Sequence, residues 1–219
     1  MNIKSINSAS MNKYLISFTG VQGSGKSTQV ALFQEKHNFE EPPSRKLYPL
    51  RMVNYSGLII YLENYYNTLV NYFLSANNEN IITSRFGLLD VLINMEAQLQ
   101  IGNINQNERS MLLTKCKYLF DSFKYPSYLI NIYAQEKTLL NRLKYRDKMV
   151  NQNIERNITD LTKINNMYKR NFIEKNYSNK LIKLILENKI LQSNILVINT
   201  THLSASEVFM EITNKLNGF

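Results

Sequence analysis

Gly20, Gly25, Lys26 and Ser27 lie in the stretch FTGVQGSGKSTQ at the spacing G-x-x-x-x-G-K-[ST]. That spacing suits one task, the holding of phosphate. Glycines let a loop wrap so closely that successive backbone N–H groups point at phosphate oxygens. A helix beginning near Ser27 adds the positive end of its dipole. Gln22, Gly23 and Ser24 complete the loop, and Thr28 follows it. Lys26 would reach the β- and γ-phosphates of a nucleoside triphosphate, and the Ser27 hydroxyl would ligate Mg²⁺. ATP and Mg²⁺ are therefore the expected cofactors.

A cradle needs a strand before it and a helix after it, and the chain supplies both. YLISFT (14–19) is an apolar run ending at the glycine loop, and 27–36 has a helical pattern. RKLY (45–48), NIIT (80–83), SYLINIY (127–133) and NILVIN (194–199) read as further strands. Helices are expected at 56–75, 87–101, 106–122, 136–147, 157–175 and 205–216, the last capped by Ser204 or Ser206. Alternating strands and helices imply an α/β, three-layer sandwich: a five-stranded parallel sheet flanked by helices, with its ligand site at the carboxyl ends of the strands.

At 219 residues the chain has room for one well-buried domain. Residues 14–219 are expected to form it, behind a leader at 1–13. No apolar run spans a membrane, the start lacks a secretory core, and the single cysteine, Cys116, has no intrachain partner. A reducing cytoplasm fits these features. The net charge of +9 is spread without a long basic block. That distribution suits a pocket for several phosphates better than a nucleic-acid surface.

A cradle serves many reactions, so the rest of the chain must choose among them. No guanine-reading N-K-x-D is present, and NIIT ends at Ser84 rather than at a Walker-B acid. A kinase of small molecules remains. The run GSGKSTQ resembles the loop of thymidylate kinases, and YPLRMVNYSGLIIYL (48–62) resembles their F-P-x-R segment. IITSRF (81–86) falls where that family has D-R-Y, and KYPSYLINIYAQEKTLLNRLKYRDK (124–148) resembles its fourth strand and the helix leading to a lid. The resemblance implies that Arg51 and Arg85 bind the acceptor's phosphate. It also implies that Arg142 and Arg146 are lid arginines, with the lid at about 146–156. It places Tyr168 on the helix after the lid and carries a homodimer with it.

Deoxynucleoside kinases share this architecture and are similar in other stretches. Asp90 stands at the distance from Arg85 where their E-R-S motif is followed by an acid, and MEAQLQIGNINQNE (95–108) resembles the stretch beyond. FEEPP (39–43) is similar to their Glu-Pro, whose glutamate is the base. Glu41, however, follows Lys26 too closely for a full helix and a second strand. It therefore reads as the turn into that strand.

The expected activity is ATP- and Mg²⁺-dependent phosphoryl transfer to a deoxynucleoside monophosphate, dTMP first. A deoxynucleoside kinase is the nearest alternative. Lys26, Arg85, Asp90, Arg142 and Arg146 are the catalytic candidates. Arg51, Arg85, Phe73 and Asn94 are the acceptor-side candidates, although Phe73 also suits a core and Asn94 a solvated face. Arg142 and Arg146, with Lys144, equally suit a solvated helix face. Ser84 replaces the acid that helps organise Mg²⁺ in both families, and Leu50 replaces the glutamate of F-P-E-R. Those losses motivate a third reading, a nucleotide-binding protein with impaired catalysis.

Overall fold

The computed structural model describes residues 14–42, 52–75, 80–120, 126–147 and 158–216. The elements run β1 (Tyr14–Thr19), α1 (Lys26–His37), α2 (Tyr55–Ser75), β2 (Asn80–Thr83), α3 (Gly87–Ile101), α4 (Gln106–Phe120) and β3 (Tyr128–Tyr133). They continue with α5 (Glu136–Asp147), α6 (Ile158–Phe172), α7 (Lys180–Leu186), α8 (Lys189–Gln192), β4 (Ile195–Asn199) and α9 (Ala205–Lys215). The strands form one parallel sheet in the order β2-β1-β3-β4.

The sheet divides the apolar residues between two layers, because successive side chains on a strand point to opposite faces. Ile16, Phe18, Ile82, Ile130, Ile132 and Ile198 pack with Val30 and Phe33 of α1 and with Val208, Phe209 and Ile212 of α9. Phe33 sits amid aromatic rings, with centroids 5.0 Å from Phe209 and 5.7 Å from Phe39. Leu15, Ile81 and Leu129 face the other way, toward α2, α3, α4, α6 and α7. Helix α3 is buried throughout Gly87–Gln98. A helix enclosed on all sides needs partners for any polar group it carries, and α3 carries several.

The sheet has four strands among the described residues rather than the expected five. RKLY (45–48) lies outside those residues. Among the described residues, Glu40 lies beyond β2 and pairs in parallel with Ile81. Its N–H donates to Asn80 O at 3.0 Å, and its carbonyl accepts from Ile82 N–H at 2.9 Å. Asn38, left-handed at φ 52°, ends α1 and turns the chain so that Phe39 is buried against Phe33. Pro42 then ends the pairing, having no N–H to donate. Between Lys26 and Glu41 the chain thus holds a full helix and one bridged residue, short of a second strand.

Helices α7 and α8 were not expected from the pattern. Asn179 starts α7 by accepting from Ile182 N–H, and its amide donates to Glu96. Ser204, rather than Ser206, caps α9 in a reciprocal box with Glu207. Among the described residues, no helix is long and apolar enough to cross a membrane. The expected leader at 1–13 and residues 148–156 of the expected lid fall outside the described residues.

Candidate active site

The cradle forms where β1 meets α1. Gly20, Gly23 and Gly25 all have positive φ, at 135°, 82° and 107°. At Gly20 a Cβ would lie 2.2 Å from the carbonyl oxygen of Ile132, so only glycine lets β1 turn over β3 here. At Gly25 a Cβ would meet nothing within 4 Å. That open space lies directly above the first turn of α1, which has no side-chain cap. An uncapped helix N-terminus beneath open space, with the Ser27 and Thr28 side chains exposed beside it, fits an anion.

Lys26 lies folded against its own loop. Its ammonium donates to Gly20 O at 2.7 Å and Val21 O at 2.8 Å, with Ser24 Oγ at 3.4 Å. Three donors thus have three acceptors. Burial first, and the Arg85 guanidinium second, pull its pKa well below the ordinary value, against the opposing charge of Asp90. Phosphate would supply the negative charge that this buried cation lacks.

Asp90 binds three elements together. Its Oδ1 accepts from Thr19 Oγ1 at 2.7 Å and from the Tyr168 phenol, and its Oδ2 accepts from Phe86 N–H at 2.8 Å. It is fully buried. Burial and the Asp90 charge hold the Tyr168 phenol well above its ordinary pKa, so it stays a donor. Asn94 donates to the Asp90 carbonyl at 2.7 Å, inside the helix layer. Asp90 therefore ties the end of β1, the start of α3 and the middle of α6 together.

Arg85 stands between β2 and α3, half-buried, and its charge bears on both Lys26 and Tyr168. Arg142 reaches the cradle from behind. Its guanidinium donates to Thr200 O at 2.7 Å and Thr200 Oγ1 at 2.9 Å, with Ser24 O at 3.4 Å. It pins α5 to the loop after β4 and to the cradle backbone, rather than presenting a solvated face. Burial lowers its pKa. Arg51 lies outside the described residues, and Phe73 and Arg146 lie in helices α2 and α5 with side chains outside the description.

The residues present fit a nucleoside triphosphate. For Mg²⁺ they offer the exposed Ser27 hydroxyl, which suits an ion that keeps its waters and binds mostly through phosphates. No group of three His, Cys, Asp or Glu suited to a metal occurs among the described residues. Ser84 is half-buried where the acid was missed. The roles of Tyr65, whose phenol donates to Arg85 O at 3.0 Å, and of Thr200 escaped the sequence reading.

No family model matches the chain, and no curated protein matches it. Solved structures do. The deoxyadenosine kinase of M. mycoides with bound dATP is 19% identical, with a TM-score of 0.67, over 93% of this chain and 100% of that one. The same enzyme with bound dCTP gives 19% identity and a TM-score of 0.66, over 94% of this chain and 100% of that one. With the products dCMP and dCDP it gives 20% and 0.66, over 94% and 100%. The chain therefore has the α/β fold of the P-loop kinases, a parallel sheet flanked by helices.

Proposed function

We propose that the protein is a deoxynucleoside kinase that transfers the γ-phosphoryl group of ATP to a 5′-hydroxyl. The observation that carries phosphoryl transfer is the cradle itself. Three left-handed glycines, an uncapped helix and a buried, charge-starved Lys26 stand beside Arg85 at the carboxyl end of the sheet. Such transfer is largely a matter of positioning and charge neutralisation. Mg²⁺, which the Ser27 hydroxyl would help hold, would supply positive charge to neutralise the charge that develops on the phosphates. Lys26 and Arg85 hold the phosphoryl group, and Arg142 keeps the cradle registered on α5.

A 5′-hydroxyl needs a base, and Asp90 is committed to three donors. The Glu40 bridge supports Glu41 instead, half-buried on the sheet edge and followed by Pro42 as in the deoxynucleoside-kinase pattern. The likeness to deoxyadenosine kinases along their whole length supports the same acceptor class. The monophosphate reading, dTMP first, rests on Arg85 and Arg51 as phosphate ligands and needs no base, because a monophosphate oxygen is already ionised. Glu41→Gln separates the two. A nucleoside kinase loses on the order of a hundredfold in kcat while keeping its ATP affinity, whereas a monophosphate kinase keeps its kcat. The homodimer is part of this proposal, and sedimentation equilibrium tests it.

A further inference from the structure

Arg85 sits where β2 gives way to α3, and its peptide is gripped by groups that lie outside the chemistry. Its carbonyl oxygen is 3.0 Å from the Tyr65 phenol and 2.7 Å from Thr83 Oγ1. Thr83 Oγ1 is also 2.9 Å from Ser17 Oγ. A hydroxyl has one proton, and a carbonyl has none to give, so Thr83 donates to Arg85 O and accepts from Ser17. Both lone pairs of the Arg85 carbonyl are then used. The N–H of the same peptide, on Phe86, is held by Asp90, which is itself held by Tyr168 and Thr19.

Tyr65 is seated with little freedom. A Cβ on Gly87 would lie 2.1 Å from Tyr65 Cδ1 and 2.3 Å from its Cγ, so the ring rests directly on the glycine. Its other neighbours include Tyr61, stacked at 6.3 Å with 14° between the planes. Buried phenols are costly unless they are hydrogen-bonded. Here two of them, from α2 and α6, serve the two ends of one peptide, Arg85–Phe86: Tyr65 donates to its carbonyl, and Tyr168 donates to the carboxylate that holds its N–H. Phenylalanine would fill the same space.

Resting on the proposed function, in which Arg85 neutralises phosphate charge, we propose that Tyr65, seated on Gly87, and Tyr168, acting through Asp90, are positioning residues that fix the Arg85–Phe86 peptide at its carbonyl and at its N–H. A long guanidinium side chain amplifies any drift at its own backbone, and displacements near 1 Å at a reacting site cost about a hundredfold in rate. The two tyrosines suppress that drift without touching substrate.

The test is a double-mutant cycle. Tyr65→Phe and Tyr168→Phe keep the rings and remove the hydroxyls, and each is combined with Arg85→Ala. Two readouts are taken: ATP·Mg affinity by titration calorimetry, and kcat/KM with a deoxynucleoside acceptor. Each Phe variant alone is expected to lower kcat/KM about tenfold, roughly the worth of one buried hydrogen bond. Added to Arg85→Ala, each is expected to cost nothing further, because the group it positions is gone. Equal losses with and without Arg85 would overturn the proposal, as would Phe variants that match the parent in both readouts. If no acceptor turns over, the proposed function fails. The calorimetric cycle still judges the clamp, by whether the Phe variants weaken ATP binding only when Arg85 is present.

Discussion

Asp90→Ala tests the buried hub in numbers. The substitution removes the acceptor of three donors: the Thr19 hydroxyl, the Phe86 N–H and the Tyr168 phenol. The two hydroxyls can turn toward other acceptors, but the Phe86 N–H cannot, and the site is sealed from water. Each buried donor left unmet costs about 1–3 kcal/mol. The stranded Phe86 N–H therefore costs about 1–3 kcal/mol by itself, a sizeable share of the stability of many domains. Asp90→Asn differs in kind. Its amide oxygen still accepts from Phe86 N–H, and its NH₂ donates to the two hydroxyls. The loss is then charge assistance, about 1 kcal/mol per bond, partly offset by burying no charge. Urea unfolding gives the readout as a shift of midpoint at constant slope. The reasoning is refuted if Asp90→Ala costs less than about 1 kcal/mol, or if Asn is as damaging as Ala.

Other outcomes follow from the same geometry. Gly20→Ala forces a Cβ onto Ile132 O at 2.2 Å and should cost roughly 3 kcal/mol or more, whereas Gly102→Ala, at φ 92° in open space, should cost only about 1–2 kcal/mol; thermal melts rank them. Burial and Arg85 depress the Lys26 pKa in the free protein, and phosphates raise it, so ATP binding takes up protons. Affinity should therefore fall as pH climbs from that depressed value toward the ordinary 10.5, and calorimetry in buffers of different ionisation enthalpy measures the uptake. Ser204→Ala removes the side-chain hydrogen bond, the larger of the two that hold the Glu207 carboxyl below its ordinary pKa, and leaves the one from the backbone N–H of residue 204, so that pKa should rise part of the way. The small stability tied to it is present above the ordinary carboxylate value and is lost as pH falls through the depressed one; carboxyl NMR titration follows both.

The cradle was legible because its signal is local: glycine spacing, a lysine, and a strand and helix adjoining it in sequence. β1 and β2 fall at the expected residues for the same reason, as continuous apolar runs. The edge at Glu40 was not legible, since one bridged residue has no periodicity and its partner, Ile81, is remote in sequence. The four-residue α8 likewise has too short a pattern to stand out. Tyr168 meets Asp90 across 78 residues, and Arg142 meets Thr200 across 58. Such meetings belong to the topology of the sheet and leave no trace in local spacing. Asp90's place as a buried hub was not legible either, because sequence shows an acid near Arg85 but not the donors that surround it.

The most direct measurement is ADP release from ATP·Mg with a panel of deoxynucleosides and their 5′-monophosphates, run beside Lys26→Ala. The account predicts turnover with at least one deoxynucleoside, abolished in Lys26→Ala. Silence across both acceptor classes, with ATP still bound, would contradict it and make the serine at position 84 the mark of a nucleotide binder without transfer.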